Sequence, residues 1–153
     1  MKTQFLTALA VFIVIAVLGI VVQIVIPKST HESGGIIRLR IGNAAISSEV
    51  ADTPAEQVKG LSYRESMARD HGMLFRFSTP GSYDFWMKDT NFPLDFVWIR
   101  DNRVVGITEN ALPEDPPRTI YSPPTQIDSM LEINAGVARE AGIKIGDTVE
   151  MLP

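Results

Sequence analysis

The sequence predicts a mainly β domain, a compact β-sandwich or partly open barrel with two short helices, behind one N-terminal transmembrane helix. Three observations point there. From Phe5 to Ile26 the chain carries no charge, and only Thr7, Gly19 and Gln23 interrupt an apolar run. At about 1.5 Å per residue such a helix reaches ~33 Å, enough to cross a hydrocarbon core of ~30 Å. Beyond Pro27, short stretches alternate apolar and polar residues, the period of half-buried strands, and turn-forming clusters of Gly, Pro, Asn and Asp separate them.

The N-terminal run continues through Ile20–Ile26 with no small-x-small cleavage site, and the chain has no cysteine to acylate. An uncleaved anchor is therefore expected rather than a cleaved signal. An internal core helix apolar on every side is at odds with so small a domain. Residues 1–27 are read as the anchor, 28–35 (KSTHESGG) as a polar linker, and 36–153 as the soluble domain. Lys2 lies on one side of the run, and Lys28, Arg38 and Arg40 on the other. Because long following domains translocate largely regardless of charge, the N-terminus is expected in the cytoplasm and the domain outside.

In the domain, Ile37, Leu39 and Ile41 alternate with Arg38 and Arg40 to give a first strand, with Ile46–Val50 as its hairpin partner across Gly42–Asn43. Thr53, Pro54 and Glu56 form a capping box with proline in the first helical turn, opening a two-turn helix that ends by Gly60. Leu61 then returns to the core. Strands follow at Met73–Phe77, Ser82–Lys88, Leu94–Ile99 and Arg103–Thr108. Between Asn110 and Thr125 lie Pro113, Pro116, Pro117, Pro123 and Pro124, which forbid regular pairing and predict a long ordered loop. Met130–Ile133 is a strand, Asn134 caps a short helix over Ala135–Ala141 closed by Gly142, and Ile143–Ile145 with Val149–Leu152 close the chain as a hairpin around Gly146-Asp147.

Charge and composition remove several functions. Without Lys2 the soluble part has 13 basic and 18 acidic residues, formally −5, and no basic cluster that could neutralise phosphates or anionic lipid. The absence of cysteine excludes disulfides, thiol nucleophiles and zinc–thiolate sites, and His31 and His71 alone cannot build a multi-histidine metal site. No glycine-rich phosphate loop and no serine elbow is present. No cofactor or metal is implied.

Several phrases carry a resemblance: Ala51-Asp52-Thr53-Pro54-Ala55-Glu56-Gln57 with Gly60-Leu61 and Arg64-Glu65-Ser66; Gly72-Met73-Leu74-Phe75-Arg76-Phe77; Phe85-Trp86-Met87-Lys88-Asp89-Thr90 with Pro93-Leu94-Asp95; Leu131-Glu132-Ile133-Asn134-Ala135-Gly136; and Gly142-Ile143-Lys144 with Gly146-Asp147. In order and spacing they resemble the family known as domain of unknown function 192, from about Ile37 to Met151. The resemblance implies a jelly-roll-like, mostly-β domain, often behind a signal or anchor, and implies no reaction. Asp89 departs from the family pattern, where asparagine is commoner.

Two constellations can carry chemistry. Alternation puts Asp84, Trp86 and Lys88 on one face and Tyr83, Phe85 and Met87 on the other, so the indole between an acid and an amine offers a stacking platform for a sugar or peptide. The bland reading buries Trp86 under the proline-rich loop and pairs Asp84 with Lys88. Asp95 interrupts an otherwise apolar Phe92–Ile99, so it must be hydrogen-bonded, paired or protonated. A general base there would require Glu109 or Glu132 to converge on it, for acid/base hydrolysis or for a hard cation. The bland readings make it a cap on the backbone of its own turn after Thr90-Asn91-Phe92-Pro93, or a buried ion pair with Lys88 or Arg64. His71 is expected in a loop and Arg64-Glu65 as a local ion pair. The expectation is a membrane-anchored, extracytoplasmic binding or envelope-associated module. Its ligand surface comprises Trp86, Lys88 and Asp95, with Glu109 and Glu132 beside them. The rivals are a hydrolase of envelope polymers and a structural partner of another membrane protein.

Overall fold

The structure, a computed structural model, describes residues 35–114 and 119–153. The predicted anchor, and the linker before Gly35, lie outside the described residues. Among those that are described, no helix is long and apolar enough to cross a membrane.

Among the described residues, seven strands form one curled sheet. In chain order the elements are β1 (Ile36–Ile41), β2 (Ala44–Ala51), α1 (Pro54–Lys59), β3 (His71–Gly81), β4 (Leu94–Arg100), β5 (Arg103–Ala111), β6 (Ile127–Asn134), α2 (Val137–Glu140) and β7 (Val149–Leu152). Across the sheet the order is β5-β4-β6-β3-β2-β1-β7. All neighbours run antiparallel except β2 and β3, which are parallel and joined by the crossover through α1. The curl brings the two edges together: Arg103 bridges Thr148, Val104 N–H donates to the Asp147 carbonyl at 2.9 Å, and Gly146 N–H donates to the Val104 carbonyl at 2.8 Å. This seam pairs backbone groups that an open edge would leave exposed. The result is a half-barrel from one sheet, the partly open barrel among the expectations, not the two-sheet sandwich or jelly roll.

Strand alternation makes two cores, one on each face. Leu39, Ile41, Ile46, Leu74, Val97, Ile99, Val104, Leu131 and Ile133 fill the inside of the curl, closed by Val137, Ala138 and Ile143. On the outer face Met73, Phe75, Phe96, Trp98 and Met130 are covered by loops that supply Leu61 and Met87. Being buried on both faces, β4 reads as an apolar run broken by Asp95 instead of an alternating one. At Gly72 a Cβ would stand 2.6 Å from the Glu132 carbonyl oxygen, so only glycine lets β3 and β6 approach this closely.

Three local expectations are corrected. Ser82–Lys88 alternates as predicted but joins no sheet: its backbone pairing among the described residues is the isolated bridge from Phe85 to Tyr121; Pro80 and Gly81 instead extend β3 beyond a bulge. Ile143–Ile145 forms no strand, so β7 pairs with β1 rather than with a hairpin partner. Asn134 does not cap α2: its amide donates to the Met67 and Ala68 carbonyls at 3.1 and 3.0 Å. Gly136 stands at the cap position and has no side chain to serve.

Candidate functional site

The site lies on the outer face of the sheet, between α1 and the extended segment that follows β3. α1 starts with a complete capping box. Thr53 Oγ1 accepts from Glu56 N–H at 3.3 Å, and the Glu56 carboxylate accepts from Thr53 N–H at 3.1 Å. Gln57 Nε2 donates to the Arg76 carbonyl at 2.7 Å, fastening the helix to β3. Gly60 ends it at φ +47°, against the Phe75 ring. The loop beyond is stitched to the other wall: Ser62 Oγ donates to the Lys88 carbonyl at 3.1 Å, Tyr63 N–H to the Asp89 carbonyl at 2.8 Å, and Asn91 Nδ2 to the Arg64 carbonyl at 2.8 Å. Tyr63 and Asp89 both hold positive φ, 65° and 54°, and the Tyr63 hydroxyl donates to Asp89 Oδ2 at 2.8 Å. That bond raises the Tyr63 pKa, since ionising the phenol would remove its donor.

Between these walls is a cleft of about 280 Å³. Aromatic side chains organise it: Phe77 stacks on Tyr83 with ring centroids 3.7 Å apart, and Phe85 meets Phe75 edge-on at 5.1 Å. Trp86, 51 % exposed, stands at the rim with Val58, 80 % exposed. Lys59 and Lys88 line the mouth. Neither lysine forms an ion pair among the described residues. Asp84 accepts from Ser122 Oγ at 2.6 Å and does not pair with Lys88.

Glu132 sits at the base. Register places it in a row with Glu49, Met73 and Phe96 on the outer face. It is 6 % exposed, lines the cleft, and its carboxyl makes no hydrogen bond to any described residue. Burial pushes its pKa up to about 8, only partly offset by the positive charge of Arg64. Arg64 is already engaged: its Nη1 and Nη2 donate to Glu49 Oε1 and Oε2 at 2.5 and 2.8 Å, which holds Glu49 below the ordinary carboxylate range. The predicted Arg64-Glu65 pair is therefore replaced by this fork across fifteen residues of chain.

The acids thought able to converge do not. Asp95, 0 % exposed, faces the inside of the curl opposite Ile133, on the other side of the sheet from Glu132. Its two oxygens accept from Asn110 N–H at 2.9 Å and Ala138 N–H at 3.1 Å. It caps backbone, as the bland reading had it, but that of two distant segments rather than of its own turn, and neither Lys88 nor Arg64 pairs with it. Glu109 is on the surface, with Arg139 Nη1 3.5 Å away. His71 opens β3 and pairs with Asp70 at 2.8 Å. Thus Trp86, Lys88 and Glu132 share the cleft, whereas Asp95 and Glu109 lie apart from it. Gln57, Val58 and Lys59 of α1 were not anticipated, although an exposed valine on a capped two-turn helix marks such a rim. No group of three or more metal-ligating side chains occurs among the described residues.

Two solved structures are similar over most of the domain. A protein of Sinorhizobium meliloti, provisionally assigned as a transcription regulator, is 35 % identical, with a TM-score of 0.73 over 78 % of this chain and 95 % of its own. A protein of unknown function from Novosphingobium aromaticivorans is 37 % identical, with a TM-score of 0.71 over 75 % of this chain and 84 % of its own. No curated protein matches the chain. The family model for domain of unknown function 192, described as an uncharacterised ACR, matches residues 37–151. The chain belongs to the domain of unknown function 192 family.

Proposed function

We propose that the domain is a ligand-binding module whose site is the cleft between α1 and the Tyr83–Lys88 segment. The run from Phe5 to Ile26 holds it at the outer surface of a membrane. The observation that carries the reading is the pairing of an exposed indole at the rim with an unsatisfied carboxyl at the base. The indole leaves apolar surface to water, and the Glu132 oxygens, which accept from no described residue, open onto the cleft. A ligand that stacks on the first and hydrogen-bonds the second engages both. The anchor reading is supported by the length and uniform hydropathy of the N-terminal run.

The hydrolase alternative loses its support, since Asp95 and Glu132 occupy opposite faces of the sheet and Glu109 pairs with Arg139. The regulator assignment of the Sinorhizobium relative gains none from the charge of this domain, which is acidic where DNA contact requires a cationic surface. The test is a thermal-shift screen of the full-length protein in detergent against glycans, short peptides and divalent ions. At least one class should raise Tm, and Trp86→Ala should weaken its binding about tenfold or more, the worth of one stacked indole. A shift that survives unchanged in Trp86→Ala rejects the cleft as the site.

A further inference from the structure

The charges around the cleft base do not balance when Glu132 is ionised. Arg64 is the cation nearest to it in effect, yet the guanidinium is held by both oxygens of Glu49 in a bidentate fork. The fork neutralises itself and leaves Glu132 with no counter-charge of its own. Its neighbours in the sheet, Met73, Phe96 and Met130, supply none. Lys59 and Lys88 stand at the mouth with Asp84, which is held by Ser122. The walls between mouth and base are the rings of Phe75, Phe77, Tyr83 and Phe85.

We propose that the cleft takes a small organic ammonium compound, its cationic head group on the Glu132 carboxylate and its apolar body against the aromatic walls. This deepens the binding-module reading and rests on it. An ammonium group donates to the carboxylate oxygens that no protein group satisfies, and aromatic faces attract the same charge. A bare metal ion fits less well. Calcium or magnesium needs about six oxygen ligands, and the base offers one carboxyl. A neutral hydroxylated ligand would accept from protonated Glu132 but would leave the π faces without a charge to attract.

The proton balance follows. Empty, the carboxyl holds its proton at neutral pH; on binding, the ammonium head takes the proton's place beside the carboxylate and one proton passes to solvent. The titratable and charged groups that face Glu132 are Arg64 with Glu49, His71 on the same face of β3 with its partner Asp70, Tyr83, and at the mouth Lys59, Lys88 and Asp84. Only Glu132 is shifted into the neutral range.

Benzylamine, benzyl alcohol and benzoate are three probes of one shape and different charge. Each is titrated calorimetrically into the full-length protein in detergent, in two buffers of different ionisation enthalpy. Benzylamine should bind best, release one proton near pH 7, and tighten about tenfold per pH unit up to pH ~8. Glu132→Gln should abolish both the proton release and the pH dependence. Proton counting on the unmodified protein keeps the test valid even if that variant folds poorly. Benzyl alcohol binding as tightly as benzylamine, lost in Trp86→Ala, overturns the cation inference but keeps the cleft. Benzoate binding best also overturns it. Binding by none of the three overturns it and removes the support for the cleft reading.

Discussion

Glu132 ties the stability of the fold to the proposed site. Its carboxyl titrates near 4.5 when the chain is unfolded and near 8 in the folded protein. The folded state therefore binds the proton more tightly, and between these values the unfolded state carries fewer protons. Stability falls as pH rises through that window, and the contribution is fully present only below about pH 4.5. A tenfold difference in proton affinity between the folded and unfolded states is worth about 1.4 kcal/mol, so roughly 2–5 kcal/mol is lost by pH 9. Glu49 acts in the opposite sense: its lowered pKa gives stability present above the ordinary carboxylate value and lost as pH falls into the acid range. Glu132→Gln keeps the shape and removes the titration. Urea melts from pH 5 to 9 should show the wild type losing stability with pH while the variant stays level, so that the variant is the more stable at pH 9. Parallel curves would mean that Glu132 does not titrate in this window.

Among the elements, those built from local contacts were legible and those built from distant ones were not. β1 and α1 follow from Ile37, Leu39 and Ile41 at period two and from Thr53, Pro54 and Glu56 at capping-box spacing, all within one segment. Trp86 and Lys88 could be named because alternation within Tyr83–Lys88 does not depend on what it packs against. The cap of α2 could not be read locally. Its acceptor comes from β4, forty-three residues away, where Asp95 receives Ala138 N–H. Gly136 offers nothing, so a buried carboxylate does what a serine or asparagine at that position would do. The same side chain holds Asn110 N–H at a residue with φ 56°, where β5 turns out of register with β4. Asp95→Ala should leave two backbone donors unsatisfied inside the curl. A cost of about 3 kcal/mol is expected, at roughly 1–3 for each orphaned group. Hydrogen exchange should accelerate first at Asn110 and Ala138. A loss below about 1 kcal/mol would show that water or a neighbouring carbonyl replaces the carboxylate.

At the level of the whole molecule, the two cores assign different tasks to the two faces of one sheet. The inner face is sealed by the seam between β5 and the turn before β7, and its residues from β1 to β6 are almost wholly apolar. The outer face is covered by loops and α1, and a cleft opens where α1 and the Tyr83–Lys88 segment stand apart. Closure was not legible because the bridge between Arg103 and Thr148 joins positions that no periodicity relates. Function of the assembled protein then depends on where the outer face is presented. In the anchored arrangement proposed here, residues 28–35, at most about 3.5 Å each, tether the domain by no more than ~30 Å of chain. The proposed export of the domain rests on the rule that long following domains translocate largely regardless of charge, here despite Lys28, Arg38 and Arg40. Alkaline phosphatase, active only after export, should be active when fused to Pro153, and the fusion should remain in the membrane pellet after alkaline carbonate washing. Deleting residues 1–27 should move it to the soluble cytoplasmic fraction and silence the enzyme. A silent full-length fusion, with a fluorescent protein at the same position bright, would place the cleft on the cytoplasmic side.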